Sequence, residues 1–138
     1  MTIKMLFAAA AALSFATVQP AAAQEAGRAI VSIYHAAPGH QVELLKWLAA
    51  QDRAAAAAGI PRSQLYVHTD GAEWDYVIIA PMTTEAQDTA LDAALTKMGM
   101  PTGAKAGIEF RKHIMSHTDT LARGPTSAAE FLASLGEK

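Results

Sequence analysis

Apolar and polar positions along this chain follow two different periods, and the changes between them mark its elements. Residues 29–35 (AIVSIYH) are rich in β-branched side chains and read as a strand. Ala36-Ala37-Pro38-Gly39 interrupts it, because Pro38 fixes φ and Gly39 opens conformations closed to other residues. From His40 onward Val42, Leu44, Leu45, Trp47, Leu48 and Ala49 recur at three- and four-residue spacing. That period predicts an amphipathic helix over residues 39–58, stopped by Gly59 and kept from restarting by Pro61. Residues 64–70 (QLYVHTD) and 73–80 (EWDYVIIA) read as two further strands, with Asp70-Gly71 as the turn of a hairpin.

Thr84 with Gln87 three residues later predicts a capped second helix, whose apolar stripe is Ala86, Ala90, Leu91, Ala94, Leu95 and Met98. Residues 99–107 hold Pro101 and three glycines and read as the longest loop. Residues 110–118 (FRKHIMSHT) read as the fourth strand, and Ser127 with Glu130 announces a final short helix over 127–135. The order β-α-β-β-α-β with an extra C-terminal helix predicts an α+β, ferredoxin-like antiparallel sheet with both helices on one face. Ile30, Val31, Ile33, Val67, Val77, Ile78 and Ile79 cannot all face one helix layer, since strand side chains alternate. The second face needs a cover. A second copy of the chain is the most economical one, which predicts a homodimer.

The start of the chain has a separate task. Lys4, the apolar run 5–18, Gln19-Pro20 and the small residues Ala21-Ala22-Ala23 describe a secretory signal peptide over residues 1–23, too short to span a bilayer comfortably. Cleavage after Ala23 leaves residues 24–138 as a single domain, periplasmic or secreted, with no stable membrane insertion. Eleven Lys and Arg against thirteen Asp and Glu give a net charge of −2, with no basic run interleaved with aromatics, so nucleic acid is not an expected partner. Cysteine is absent, which excludes disulfides and thiolate metal sites.

The apolar first strand, the Pro38-Gly39 corner followed by a helix carrying Glu43 and Leu44, and the hairpin through Asp70-Gly71 together resemble the dimeric α+β barrel superfamily. This includes the antibiotic biosynthesis monooxygenase-like and stress-responsive A/B barrel families, and the likeness covers residues 28–120. The resemblance implies a dimeric barrel. It also implies either a cofactor-free oxygenase- or isomerase-like enzyme acting on a hydrophobic small molecule, or a non-catalytic small-ligand-binding or stress-related module. Haem is the one prosthetic group that relatives also handle. A leader peptide departs from most members, and no subfamily's catalytic motif carries over.

Five histidines stand out: His35, His40, His68, His113 and His117. On a strand, His113 and His117 would be separated by four rises of about 3.3 Å, too far for one metal, and the Glu of an H-E-x-x-H motif is absent, so no metal site is expected. His-Thr-Asp occurs twice, as His68-Thr69-Asp70 and His117-Thr118-Asp119. On a strand the His and Asp of each copy share a face and could form an oriented base; the plainer reading makes Asp70 a turn residue and Asp119 a strand terminator. By resemblance, the pocket lies at the strand ends under the helix layer. Tyr34, His35, Trp74, Tyr76 and His113 would form its rim, with residues 99–107 as a lid. On this reading His35 and His113 carry acid–base chemistry, and Tyr34, His68, Trp74 and Tyr76 bind a flat aromatic or otherwise hydrophobic ligand. The plainer alternative makes Trp47 and Trp74 core and the histidines surface. No phosphate loop or nucleophile elbow is present.

Overall fold

The computed structural model describes residues 27–71 and 73–136. The expected leader and its cleavage site lie outside these. Its elements run β1 (Gly27–Ala36), α1 (Gln41–Ala57), β2 (Gln64–Val67), β3 (Tyr76–Pro81), α2 (Glu85–Lys97), α3 (Gly103–Phe110), β4 (Ile114–Gly124) and α4 (Ala128–Ser134). The strands form one sheet in the order β2-β3-β1-β4, every neighbouring pair antiparallel. This is the ferredoxin-like arrangement, with β2 and β4 at the edges.

Local chemistry explains the helix boundaries. Gly39 has φ +79°, a conformation that lets the chain turn from β1 into α1. At the other end of α1 the Ile60 amide donates to the Ala55 carbonyl, with Gly59 at φ +70°, so the last carbonyls are satisfied and the helix stops. Thr84 and Gln87 form the expected capping box on α2, and Ser127 and Glu130 form the one on α4.

The ladder sorts the side chains into two faces. Tyr34 stands opposite Tyr76 on β3 and His117 on β4, and Ser32 stands opposite Ile78 and Asp119. The core is built on this face: Ala36, Leu44, Leu48 and Tyr76 are buried together, with Tyr34, Leu45, Trp47, Ile78, Phe110 and Ile114 packed against them. The Tyr76 hydroxyl donates to the Gln41 carbonyl at 3.2 Å, tying β3 to the first turn of α1. Val31, Ile33, Val77 and Ile79 have the opposite parity and are only partly buried.

The chain departs from the sequence reading between residues 99 and 124. Residues 103–110, expected as loop and strand, form α3, and β4 begins only at Ile114. Ala104, Ala106 and Ile108 favour or tolerate helix, and Phe110 gains more from packing on Trp47 and Tyr34 than from a strand position. β4 then runs on to Gly124, because β1 offers a pairing partner along its whole length. His113 therefore lies in the turn before β4 and not on a strand, and the expected lid shrinks to the few residues between α2 and α3.

β2 and β3 are shorter than expected and Trp74 precedes β3. On the β1 side of β3 the Asp75 carboxylate Oδ2 accepts the Ala36 amide at 2.7 Å, so a side chain stands where that ladder's next carbonyl would.

Candidate functional site

A line of polar side chains crosses from β1 to β4 on the helix-facing side of the sheet. The buried Ser32 donates its hydroxyl to Asp119 Oδ1 at 2.7 Å, and the other oxygen of Asp119 stands 3.4 Å from His117 Nε2. His117 and Asp119 are two apart on one strand, so alternation puts them on one face. Ser32 and Tyr34 repeat that spacing on β1, directly opposite. The His117 ring lies nearly parallel to Tyr34, with centroids 6.0 Å apart and planes at 15°. Phe110 meets both rings edge-on, at 5.9 Å from Tyr34 and 5.6 Å from His117.

Beside this line is an open hollow of about 250 Å³. Trp47, Leu48 and Gln51 of α1 form one wall, Ala106, Gly107 and Phe110 of α3 the other, and Tyr34 the polar end. Gly107 has no neighbour within 4 Å of where a Cβ would stand, so the α3 wall is kept thin there. The lining suits a flat, largely apolar molecule, with Trp47 and Phe110 supplying ring surfaces.

The electrostatics divide the roles. Tyr34's hydroxyl is held above its ordinary pKa of 10.0, chiefly by burial; the Asp119 charge adds to the rise and the Ser32 hydroxyl opposes it. Tyr34 is therefore a proton-bearing donor at neutral pH. The side chains of His117 and Asp119 are 39% and 52% exposed, so both can exchange protons with a bound molecule or with water.

Tyr76 is also raised, by burial and then by the charge of Asp75. Unfolded tyrosine ionises near its ordinary value of 10.0, and the folded groups ionise later. The contribution is thus fully present below pH 10.0 and is lost as pH rises through the folded values. The melting temperature should fall steeply above that pH. Tyr34→Phe should soften the fall, and a melting curve with the same alkaline limb in wild type and Tyr34→Phe would contradict it.

No family model and no curated protein matches the sequence. Solved structures do resemble it. SnoaB, a cofactor-independent oxygenase from Streptomyces nogalater, is 20% identical over 73% of this chain and 95% of its own, with a TM-score of 0.49. A protein from Pseudomonas aeruginosa is 17% identical over 73% and 96%, with a TM-score of 0.45. A dimeric ferredoxin-like protein of unknown function from Thermobifida fusca is 14% identical over 76% and 97%, with a TM-score of 0.43.

The six residues singled out from the sequence are distributed as follows. Tyr34 lines the hollow. His113 stands behind its wall, with its ring 6.0 Å from Trp47 and 5.8 Å from His40, and the Nδ1 atoms of His40 and His113 are buried without a hydrogen-bond partner. Tyr76 is core. His35 follows Tyr34 on β1 and so takes the opposite face of the sheet. His68 and Trp74 pack on each other at 5.1 Å in the β2–β3 connection, at the other edge of the sheet from β4. Of the six, only Tyr34 lines the hollow between α1 and α3. Among the described residues, no group of three or more His, Cys, Asp or Glu could hold a metal ion.

His117 and Asp119 take the place beside Tyr34 that the sequence reading gave to His35 and His113. The spacing His-x-Asp was the available signal, and only the register against Ser32 and Tyr34 distinguishes this copy from the one at residues 68–70.

Proposed function

We propose that this chain is an exported, homodimeric, oxygenase- or isomerase-like enzyme that needs no cofactor and moves a proton on a hydrophobic small molecule held between α1 and α3. The observation that carries the reading is the Ser32–Asp119–His117 line stacked on Tyr34 at the end of an apolar hollow. In this reading the substrate extends from the hollow past Tyr34 to His117, which stands next to Tyr34 and Phe110 outside the hollow's own lining, and gives up a proton from an acidic C–H or O–H to that imidazole. Asp119, 3.4 Å from Nε2, orients the ring, and Tyr34, still protonated, donates a hydrogen bond to the oxygen on which charge develops. Returning the proton to another carbon isomerises the substrate, whereas attack of the carbanion on dioxygen oxygenates it. No step of this reading calls on a haem.

The test uses enolisable aryl ketones in deuterium oxide. Mass spectrometry should record solvent deuterium entering the ketone faster with the wild-type protein than with His117→Ala. Binding without wash-in would make the hollow a ligand site only.

Export and pairing belong to the same proposal. Leader-like residues 1–23 support the first, and the partly buried apolar row Val31, Ile33, Val77 and Ile79 supports a second copy laid on that face. Native mass spectrometry of protein recovered from the periplasm should give twice the mass of a chain beginning at Gln24. A monomer, or a chain still carrying Met1, would refute the corresponding half.

A further inference from the structure

The last helix of the chain leaves its apolar side open. Along α4 and its cap, Ala128, Phe131, Leu132 and Leu135 follow the i, i+3, i+4, i+7 spacing that puts side chains on one face. Phe131, Leu132 and Leu135 are 45%, 51% and 60% exposed, and among the described residues α4 has no extensive contact with another element. The Ser127–Glu130 capping box starts this helix, but seven residues held only by their own hydrogen bonds are marginal in water. A surface that receives the apolar side is therefore implied.

An open surface of the right kind lies beside it. Ala29 stands opposite both Pro81 and Ala122, and Val31 stands opposite Ile79. These five side chains share the face of the sheet turned away from the core that Tyr34, Ala36 and Tyr76 build with α1. They floor a cavity of about 590 Å³ whose rim includes Gly124 and Pro125. α4 begins three residues after Pro125, a reach of at most about 11 Å. An uncovered apolar helix and an unfilled apolar seat thus stand side by side in one chain, and neither covers the other. The seat is on the face that also carries Ile33 and Val77, against which the second copy is laid.

Resting on that pairing of two copies, we propose that α4 is an exchanged arm. Each copy's Phe131, Leu132 and Leu135 fill the partner's cavity, over the floor made by Ala29, Val31, Ile79 and Ala122. Two sheets meeting face to face would leave this hollow empty, so the shared face is incomplete without the arm. A second copy is the occupant because α4 leaves the chain at the rim of the very face that the copies share. A two-fold axis makes the exchange reciprocal, and the assembly closes at two. The alternative, an α4 turned back on its own sheet, would leave its three large apolar side chains covered within one chain, and they are exposed.

The chain has no cysteine, so disulfide trapping reads the contact directly. Full-length Phe131→Cys with one affinity tag is mixed with Val31→Cys or Ala122→Cys carrying another, and the mixture is oxidised. A disulfide joining the two tags is expected for at least one of the two seats. Ala133→Cys, on the opposite side of α4, should give none. In light scattering over a concentration series, Phe131→Asp should raise the dimer dissociation constant roughly tenfold or more, whereas Ala133→Asp should leave it unchanged. Phe131 is exposed in the single chain, so its replacement does not unfold the domain, and circular dichroism checks that. A dimer in which neither seat joins the second tag, or in which Phe131→Asp keeps the wild-type constant, would overturn the arm and leave the pairing standing. A disulfide that forms only within one chain, in the double variant Phe131→Cys/Val31→Cys, would assign α4 to its own sheet and overturn the exchange. A wild-type monomer would overturn arm and pairing together.

Discussion

Replacing His117 by Ala is expected to lower proton-transfer turnover by roughly 10²- to 10⁴-fold, the usual contribution of a positioned general base. Stability should change far less. The ring is 39% exposed and packs on Tyr34 and Phe110, a contact worth about 0.5–1.5 kcal/mol beyond its buried area. Asp119→Asn keeps the shape and the bond from Ser32 but removes the carboxylate 3.4 Å from His117 Nε2 that orients the ring, so its turnover should fall between wild type and His117→Ala. Ser32→Ala should matter least, because water can reach the half-exposed carboxylate and replace the lost donor. This ranking separates a catalytic line from a structural one. If the three variants lose melting temperature in proportion to turnover, the line holds the sheet edge and does no chemistry. If His113→Ala or His35→Ala falls further than His117→Ala, the base is one of those two.

The fold was legible because its signals are local and redundant. The capping pairs Thr84/Gln87 and Ser127/Glu130, the corner at Gly39 and the stop at Gly59 each act within a few residues of themselves. The segment 103–113 misled for the opposite reason. Gly103 and Gly107 are loop residues by propensity, and Phe110 and Ile114 are strand residues by composition. What makes 103–110 a helix is the long-range packing of Phe110 on Trp47 and Tyr34, which no local pattern reports.

The site suffered the same way. Tyr34 was legible from its place at the strand end, but its neighbours depend on register. Pairing Ser32 with Asp119 and Tyr34 with His117 puts four polar groups on one face, whereas a slip of one residue would send His117 and Asp119 to the other. Asp75 shows how little separates the roles: also a carboxylate beside a strand end, it accepts a backbone amide where Asp119 accepts a serine hydroxyl next to a histidine.

Leu44→Ala should be the most destabilising single change in the described core, by about 2–5 kcal/mol. Leu44 has no exposed surface and sits where α1 meets Ala36 and Tyr76, so truncation leaves a cavity that strands on one side and a helix on the other cannot both close. A domain of this size has about 5–15 kcal/mol of stability in all, so the loss is a large share of it. Val42, two residues earlier on the same helix and 57% exposed, is the control: Val42→Ala should stay within about 0.5 kcal/mol. Leu44→Met, which nearly conserves volume, should cost less than about 1.5 kcal/mol. Urea unfolding reads all three, with a common m value marking a change in stability alone. The effect should also reach the hollow. Trp47, Leu48 and Gln51 follow Leu44 on α1, and Leu48 belongs to the same buried cluster, so loosening the helix moves the wall that the ligand touches. Leu44→Ala should therefore weaken binding at the hollow at temperatures where the fold persists. A Leu44→Ala protein as stable as Val42→Ala would mean that α1 is not anchored through this residue, and the position of the hollow's wall would then need another cause.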